Sequence, residues 1–306
     1  MTADALLGLA TDRLNFLLPL LVIGFIAGEL GARALWQPLA NAVHGVVAAI
    51  ARKLNRPQRN AATRVYRGII ALSALLAVAL LLGLALSDAE PVAHVALALF
   101  MLALYGRGFR TVGHLRQAIA ARHNRIVVTP PFTDAHGVLR QAMLDSAELF
   151  SSHVVGASLW FLIAGPVGMC VYLMLCLTTQ HFGTGGFGWA AQQLCEIAQL
   201  LPRFIACLLL GLAACFVPHT APLAASRQWH FRWFVATLAE VSLGGTVVTP
   251  AGLVTLPWAG RGTARMETRQ FSAWVMVRAV AGLLLLLAVA TPAAYPMLLS
   301  MYINRL

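Results

Sequence analysis

The chain of 306 residues is 59% hydrophobic and only 11% charged, yet it carries a net charge of +11. A soluble domain carries roughly 25% charged residues, so most of this chain must be hidden from water, and a lipid bilayer is the simplest place for it. The basic residues are almost all arginines at the ends of apolar segments, where the positive-inside rule places them, and this argues against a nucleic-acid partner.

The first apolar segment, 14–32, is predicted to be a retained transmembrane span. Its N-terminal flank, MTADALLGLATDR, has no basic n-region, and no small-residue cleavage site follows, so a signal peptide is not indicated. A connection without acidic residues then leads to the next apolar segment. Its basic residues are Arg52, Lys53, Arg56, Arg59, Arg64 and Arg67. This pattern predicts a connection held in the cytoplasm against anionic lipid headgroups.

The apolar segments predict an all-α polytopic membrane protein with about six transmembrane helices and additional interfacial amphipathic helices. The spans are placed at 14–32, 68–87, 91–106, 154–178, 203–217 and 279–300. The interfacial helices are placed at 39–55, 137–152 and 187–200. The chain is predicted to be one integral membrane domain, 1–306, in a bacterial inner membrane. Its cytoplasmic connections are placed at 39–67, 107–153 and 218–272.

This topology puts most of the basic residues on one side and the polar stretch around Glu196 on the other. It requires segment 154–178 to cross once, although Gly165-Pro166 interrupts that segment in the middle. The sequence is compatible with either a simple kink or a re-entrant helix pair at this position. Either way, proline removes a backbone donor, and the freed carbonyls need partners inside the protein or in a wet cavity. Broken spans of this kind often mark binding sites in transporters.

Acidic residues beside apolar segments are the first candidates for chemistry, because a buried charge is costly. Asp145 and Glu148 share a helix face, and His153 follows. This set suits Mg²⁺ binding or acid–base chemistry, or it is the solvated face of an interfacial helix. His114 and Arg116 form a basic edge suited to a substrate phosphate or a lipid headgroup. The five cysteines have no CxxC spacing and are interpreted as buried apolar residues, so no metal site is predicted.

Several segments together resemble the CobD/CbiB family of cobalamin biosynthesis, to which the AmpE membrane proteins also look related. They are KLNRP (53–57), HLRQAI (114–119), RIVV (125–128), FGWAAQQLCEIAQLLPR (187–203) and LGGTVVTPAGLVTLPWAGRG (243–262). The resemblance implies a membrane enzyme that joins an aminopropanol phosphate to adenosylcobyric acid through an amide bond, giving adenosylcobinamide phosphate. Mg²⁺ and a corrinoid are implied only if that activity is retained.

The polar motifs of the family are where this chain departs. The family's helix of two glutamates, an asparagine and an aspartate falls on 144–153, where Glu148 alone matches. An Asn-Thr-Leu-Asp-Ser segment falls on 176–180, which reads Cys-Leu-Thr-Thr-Gln, and an acidic pair falls on Cys195-Glu196. Residues that set packing are kept, whereas carboxylates and amides are replaced. Losing paired carboxylates should lower the same chemistry by orders of magnitude.

Three functions are therefore weighed. The preferred one is a catalytically degenerate CobD/CbiB-like protein that serves, as an AmpE-like regulator or structural subunit, in a membrane complex with a partner protein. The second is the family synthase, with Glu148, Glu196 and His153 catalytic and with His114, Arg116 and Asp145 binding substrate. The third is a transporter whose site lies at Gly165-Pro166.

Overall fold

The computed structural model describes residues 13, 14, 17, 21, 33–56, 58–87, 147–217 and 268–303, and the ordered elements among them are all helices. They are α1 (Arg33–Leu54), α2 (Ala61–Ser87), a π-helix (Phe150–Gly156) running into α3 (Ala157–Phe182), a 3₁₀ turn (Gly186–Gly188), α4 (Trp189–Phe216) and α5 (Thr268–Ile303). The all-α prediction is confirmed.

Four described segments are long and apolar enough to cross a membrane. They are Ala61–Ser87, Ala147–Phe182, Gly186–Phe216 and Trp274–Pro292. They include the predicted spans 68–87 and 279–300, at least in large part. Six spans stay a prediction, because 91–106 lies outside the described residues and 14–32 is described only at Leu14, Leu17 and Leu21.

Helices α1 and α2 follow the sequence pattern, with one shift. The predicted amphipathic helix 39–55 corresponds to the C-terminal part of α1, and it buries His44, Val47 and Ala51 on one face. Helix α2 begins at Ala61, before the predicted start at 68, because the stretch 61–67 holds two alanines and no helix breaker. Part of the basic connection is therefore the first turns of α2.

The chain divides into two compact units. Unit 1 comprises Met1–Gly106, Ser152–Pro202 and Leu286–Leu306, and unit 2 comprises Arg107–Ser151 and Arg203–Leu285. The single domain proposed for 1–306 stays a prediction.

Segment 154–178 reverses direction within unit 1. Gly165 has φ 65° and ψ −155°, a backbone conformation that is essentially restricted to glycine, and Pro166 follows it. The rings of Trp160 and Tyr172 stack with their centroids 6.1 Å apart, whereas a straight helix would separate the two residues by about 18 Å. A Cβ on Gly168 would likewise lie 2.5 Å from the Trp160 carbonyl oxygen. Residues 150–182 are therefore a helical hairpin, with a first arm at 150–164 and a second arm at 166–182.

The hairpin lies along α2. A Cβ on Gly83 would lie 2.5 Å from the Cα of Val167, next to the reversal, and a Cβ on Gly68 would overlap the carbonyl group of Phe187, just beyond the second arm. These two glycines are about 22 Å apart along α2, against a hydrocarbon thickness of about 30 Å. The hairpin thus has the length of a re-entrant element that penetrates most of a bilayer and returns. Of the two alternatives left open for 154–178, this geometry favours the re-entrant pair over the simple kink.

Small residues allow this close packing. The buried residues of α2 are Gly68, Ala71, Leu72, Leu75, Ala79 and Gly83, which form one stripe along the helix. Glycine and alanine let backbones approach closely, and in lipid such van der Waals packing replaces the hydrophobic effect as the source of helix association.

The reversal also determines which end of α2 lies beside the residues that follow the hairpin. Turn 183–188 lies beside the first turns of α2, since Gly185 is close to Arg64 and Gly186 is close to Val65. The sequence placed the polar stretch around Glu196 on the side opposite the basic connection. The structure instead puts turn 183–188 at the same end of α2 as that connection.

Two predicted interfacial helices are parts of longer helices. Segment 187–200 was judged too polar to span, yet it is continuous with 203–217 as α4, and Pro202 lies inside the helix. Two of its side-chain amides form hydrogen bonds within the protein. Gln192 donates to the Gly183 carbonyl and Gln199 donates to the Cys176 sulfur. Segment 137–152 is described from residue 147 onward, where it runs straight into the hairpin.

Candidate functional site

Three histidines meet at the open end of the hairpin in unit 1. His44 Nδ1 and His181 Nε2 are 2.9 Å apart, and their rings meet edge-on. His153 interacts electrostatically with His44, and its Nδ1 lies 2.8 Å from Ser152 Oγ. His44 and His153 are only 5% and 6% exposed. We call His44, His153, His181 and Ser152 the histidine cluster.

Three separate elements supply the histidine cluster. His44 is on the buried face of α1, His153 is in the π-helix that opens the first arm, and His181 is in the last turn of the second arm. The reversal at Gly165 brings residues 153 and 181 to the same end of the hairpin. A π-helix is a rare widened turn that often occurs at functional sites.

The chemistry of the histidine cluster is that of proton sharing. In a hydrogen bond between two imidazoles, one ring donates and the other accepts, so His44 and His181 share one proton between their facing nitrogens. The Ser152 hydroxyl and His153 form a second polar pair beside them. Within the described ranges, no three histidine, cysteine, aspartate or glutamate side chains are placed to hold a metal ion.

The predicted catalytic residues have different surroundings. His153 is buried in the histidine cluster, and Glu196 is half-buried on α4 in unit 1. Glu148 belongs to unit 2, where its side chain is 69% exposed and its Oε1 lies 3.6 Å from Arg203 Nη2. Such exposed ion pairs stabilise a fold by about 0–1 kcal/mol. The catalytic roles of all three stay predictions, as do the substrate-binding roles of His114, Arg116 and Asp145, which lie outside the described residues.

A second polar group lies between the second arm and α4. Cys176 Sγ and Cys195 Sγ are 3.8 Å apart, and Gln199 Nε2 donates to Cys176 Sγ over 3.5 Å. The Thr179 hydroxyl lies 4.0 Å from Cys195 Sγ and donates to the Cys176 carbonyl over 2.7 Å. We call these four residues the thiol cluster. Four of the five cysteines are buried as predicted, and Cys215 is exposed.

The reversal itself is capped by Arg13. Its Nη1 donates to the carbonyl oxygens of Leu162 and Ile163 over 2.9 and 2.6 Å. These are among the last carbonyls of the first arm, which the break leaves without helical partners. A cation also suits the negative end of a helix dipole. The site proposed for a transported substrate is thus where the protein's own guanidinium binds.

Sequence reasoning missed His44, His181 and Arg13 as functional groups. Each lies far along the chain from its partner: His44 and His181 are 137 positions apart, and Arg13 is 149 positions from Leu162. The one available signal was the expected need for carbonyl partners at the Gly165-Pro166 break, which Arg13 meets.

Comparison with known proteins points to one group. The chain is 29% identical over 183 residues to "Cobalamin biosynthesis protein CobD" of Rhizobium meliloti (strain 1021), a match covering 53% of this chain and 56% of that protein. It is 30% identical over 182 residues, with the same coverage, to the protein of that name from a Sinorhizobium species. It is 34% identical over 92 residues, 28% of each chain, to that of Sinorhizobium fredii (strain NBRC 101917 / NGR234).

The chain spans about half the length of the first two curated relatives, and less of the third. No family model matches it. No solved structure matches it either.

Proposed function

We propose that this chain, a divergent relative of the CobD cobalamin-biosynthesis proteins, is a multi-pass inner-membrane protein that has lost the synthase activity and serves as a structural or regulatory subunit of a membrane complex. The four long apolar segments among the described residues support its place in a membrane.

The thiol cluster is the observation that carries this proposal. By resemblance, a polar segment of the family with an asparagine and an aspartate falls on 176–180. Here Cys176 and Thr178 are buried, and the Thr178 hydroxyl donates to the Leu175 carbonyl of its own helix. Cys176 and Thr179 contact Cys195 and Gln199 of α4. Side chains at the polar segment's position thus make a helix–helix contact, which is a structural use of those positions.

The surroundings of Glu148 agree with this proposal. It matches a family glutamate, yet it is mostly exposed and paired with Arg203 rather than buried. An exposed carboxylate keeps its hydration and is suited to contacts with a partner protein, whereas burial is what tunes a carboxyl group for acid–base catalysis.

The synthase is the second candidate, and the histidine cluster favours it. Buried polar and ionisable groups in a membrane protein are costly and commonly functional. In this alternative His153 acts as an acid or base and Glu196 supplies a carboxylate, both within unit 1, while the catalytic role of Glu148 stays a prediction from the resemblance.

Complementation separates the two functions. The full chain is expressed in a bacterium that lacks the CobD-type synthase, with the CobD protein of Rhizobium meliloti as the positive control. We expect growth only when cobinamide is added, although the chain is present in the membrane fraction. Rescue without cobinamide, lost in Glu196→Gln or His153→Gln variants that still reach the membrane, would establish the synthase instead.

The subunit role needs its own measurement. Purification of the tagged full chain in a gentle detergent should bring down one protein in fixed stoichiometry, and reconstitution of the two purified proteins should restore the complex. A lone monodisperse chain would count against a subunit role. Substrate uptake into sealed vesicles that depends on this chain would support the transporter.

A further inference from the structure

We propose that Cys176 and Cys195 are a redox pair that forms a reversible disulfide between the second arm of the hairpin and α4. The two sulfurs are in contact at 3.8 Å, on helices joined by turn 183–188. A disulfide bond needs a separation of about 2.05 Å. Forming the bond therefore requires the two sulfurs to approach by about 1.8 Å, through rotation of the side chains and a shift of one helix.

The polar neighbours of the two sulfurs favour reaction at Cys176. Gln199 Nε2 donates a hydrogen bond to Cys176 Sγ over 3.5 Å, and such a donor stabilises the negative charge that develops on the sulfur only as its proton leaves during attack. The Thr179 hydroxyl lies 2.7 Å from the Cys176 carbonyl oxygen and 4.0 Å from Cys195 Sγ, so it donates mainly to the carbonyl. Cys176 is therefore the sulfur expected to react first, and Cys195 the one that resolves the product.

The oxidant we assign is hydrogen peroxide, a small uncharged molecule that can reach the two sulfurs without carrying a charge into the apolar site. The Cys176 thiol reacts with hydrogen peroxide, the O–O bond breaks, and a sulfenic acid and one water are formed. The Cys195 thiol then attacks that sulfur, the S–O bond breaks, and a disulfide and a second water are formed. Two thiols and one peroxide thus give one disulfide and two waters, and a dithiol reductant reverses the change.

Burial favours this product over a metal complex. Cys176 and Cys195 are 3% and 5% exposed. Binding a metal would require thiolates held in apolar surroundings, where charge is costly, whereas a disulfide is neutral. The bond would close a loop around turn 183–188 and fix the hairpin to α4, so that the packing of the two helices responds to the redox state.

Thiol counting on the full chain in detergent tests this proposal. The protein is treated with hydrogen peroxide and denatured, and the remaining thiols are capped with N-ethylmaleimide. It is then reduced, and the released thiols are counted by the gel shift of a polyethylene-glycol maleimide. We expect two added groups in the wild type and at most one in Cys195→Ser, where a sulfenic acid has no partner. Cys170→Ser, which changes a buried cysteine on the same arm, is the matched control and keeps two.

A second readout does not depend on any variant folding. Digestion of the oxidised wild type without reduction should yield a peptide pair joined through Cys176 and Cys195, identified by mass. Fewer than two released thiols in the wild type, two in Cys195→Ser, or a joined pair that contains Cys170, Cys207 or Cys215 instead would each overturn the proposal.

Discussion

A Gly68→Ala substitution is expected to destabilise the protein by about 1–3 kcal/mol, the usual cost of forcing extra volume into a packed site. The added methyl group would overlap the carbonyl group of Phe187. The obstacle is backbone rather than the end of a flexible side chain, so α2 and turn 186–188 must separate. The measurement is thermal or denaturant unfolding of the full chain in detergent.

Gly45→Ala is the matched control, because it makes the same chemical change in helix α1 where nothing lies within 4 Å. There alanine's better helix propensity should raise stability by up to about 1 kcal/mol. The two substitutions should therefore act in opposite directions. Equal effects of the same sign would mean that α2 does not pack closely on turn 186–188.

Arg13→Leu is expected to cost about 2–4 kcal/mol, because it leaves the Leu162 and Ile163 carbonyls at the reversal without their guanidinium donor. The substitution should lower the local stability of the reversal as well as the stability of the whole protein. Backbone amides of residues 164–168 should exchange hydrogen faster, whereas those of α5 should change little. Hydrogen exchange with mass spectrometry on the purified full chain measures both regions.

Arg52→Leu is the control for a general effect of losing an arginine. Arg52 makes a longer and exposed bond of 3.4 Å to the Ala48 carbonyl of its own helix, so the effect should stay within about 0.5 kcal/mol. The loss of stability in Arg13→Lys should lie between the losses in Arg13→Leu and Arg52→Leu, because lysine keeps the charge without the guanidinium fork. If Arg13→Leu behaves like Arg52→Leu, the cap does not hold the reversal.

The sequence predicted those parts of the fold that depend on composition over many residues. The length and apolarity of 68–87 and 279–300 were sufficient to identify helices there. The spacing of apolar residues in 39–55 was sufficient for an amphipathic helix, in which Val47 is buried, whereas Val46 is 58% exposed. The break at Gly165-Pro166 was also visible. Its geometry was not, because a kink and a reversal share the same local sequence, and the outcome depends on Gly68, Gly83 and Arg13, which lie in other segments.

The candidate site likewise depends on contacts between residues that are distant in the sequence. His153 was identified from its neighbours in the sequence, but the contact between His44 and His181 joins residues that are 137 positions apart. Helix α4 was divided in two because segment 187–200 was interpreted as too polar to span. Gln199 instead bonds to Cys176, a partner that sequence periodicity does not reveal.

Cysteine labelling from one side of the membrane tests the re-entrant hairpin most directly. Thr184→Cys, Gln58→Cys and Ser87→Cys are placed singly in a Cys215→Ser background at exposed positions and treated with a membrane-impermeant maleimide, in intact cells and after lysis. Thr184→Cys and Gln58→Cys should both be labelled only after lysis. Ser87→Cys should be labelled in intact cells. If Thr184→Cys labels together with Ser87→Cys, residues 150–182 cross the membrane once and the hairpin is contradicted.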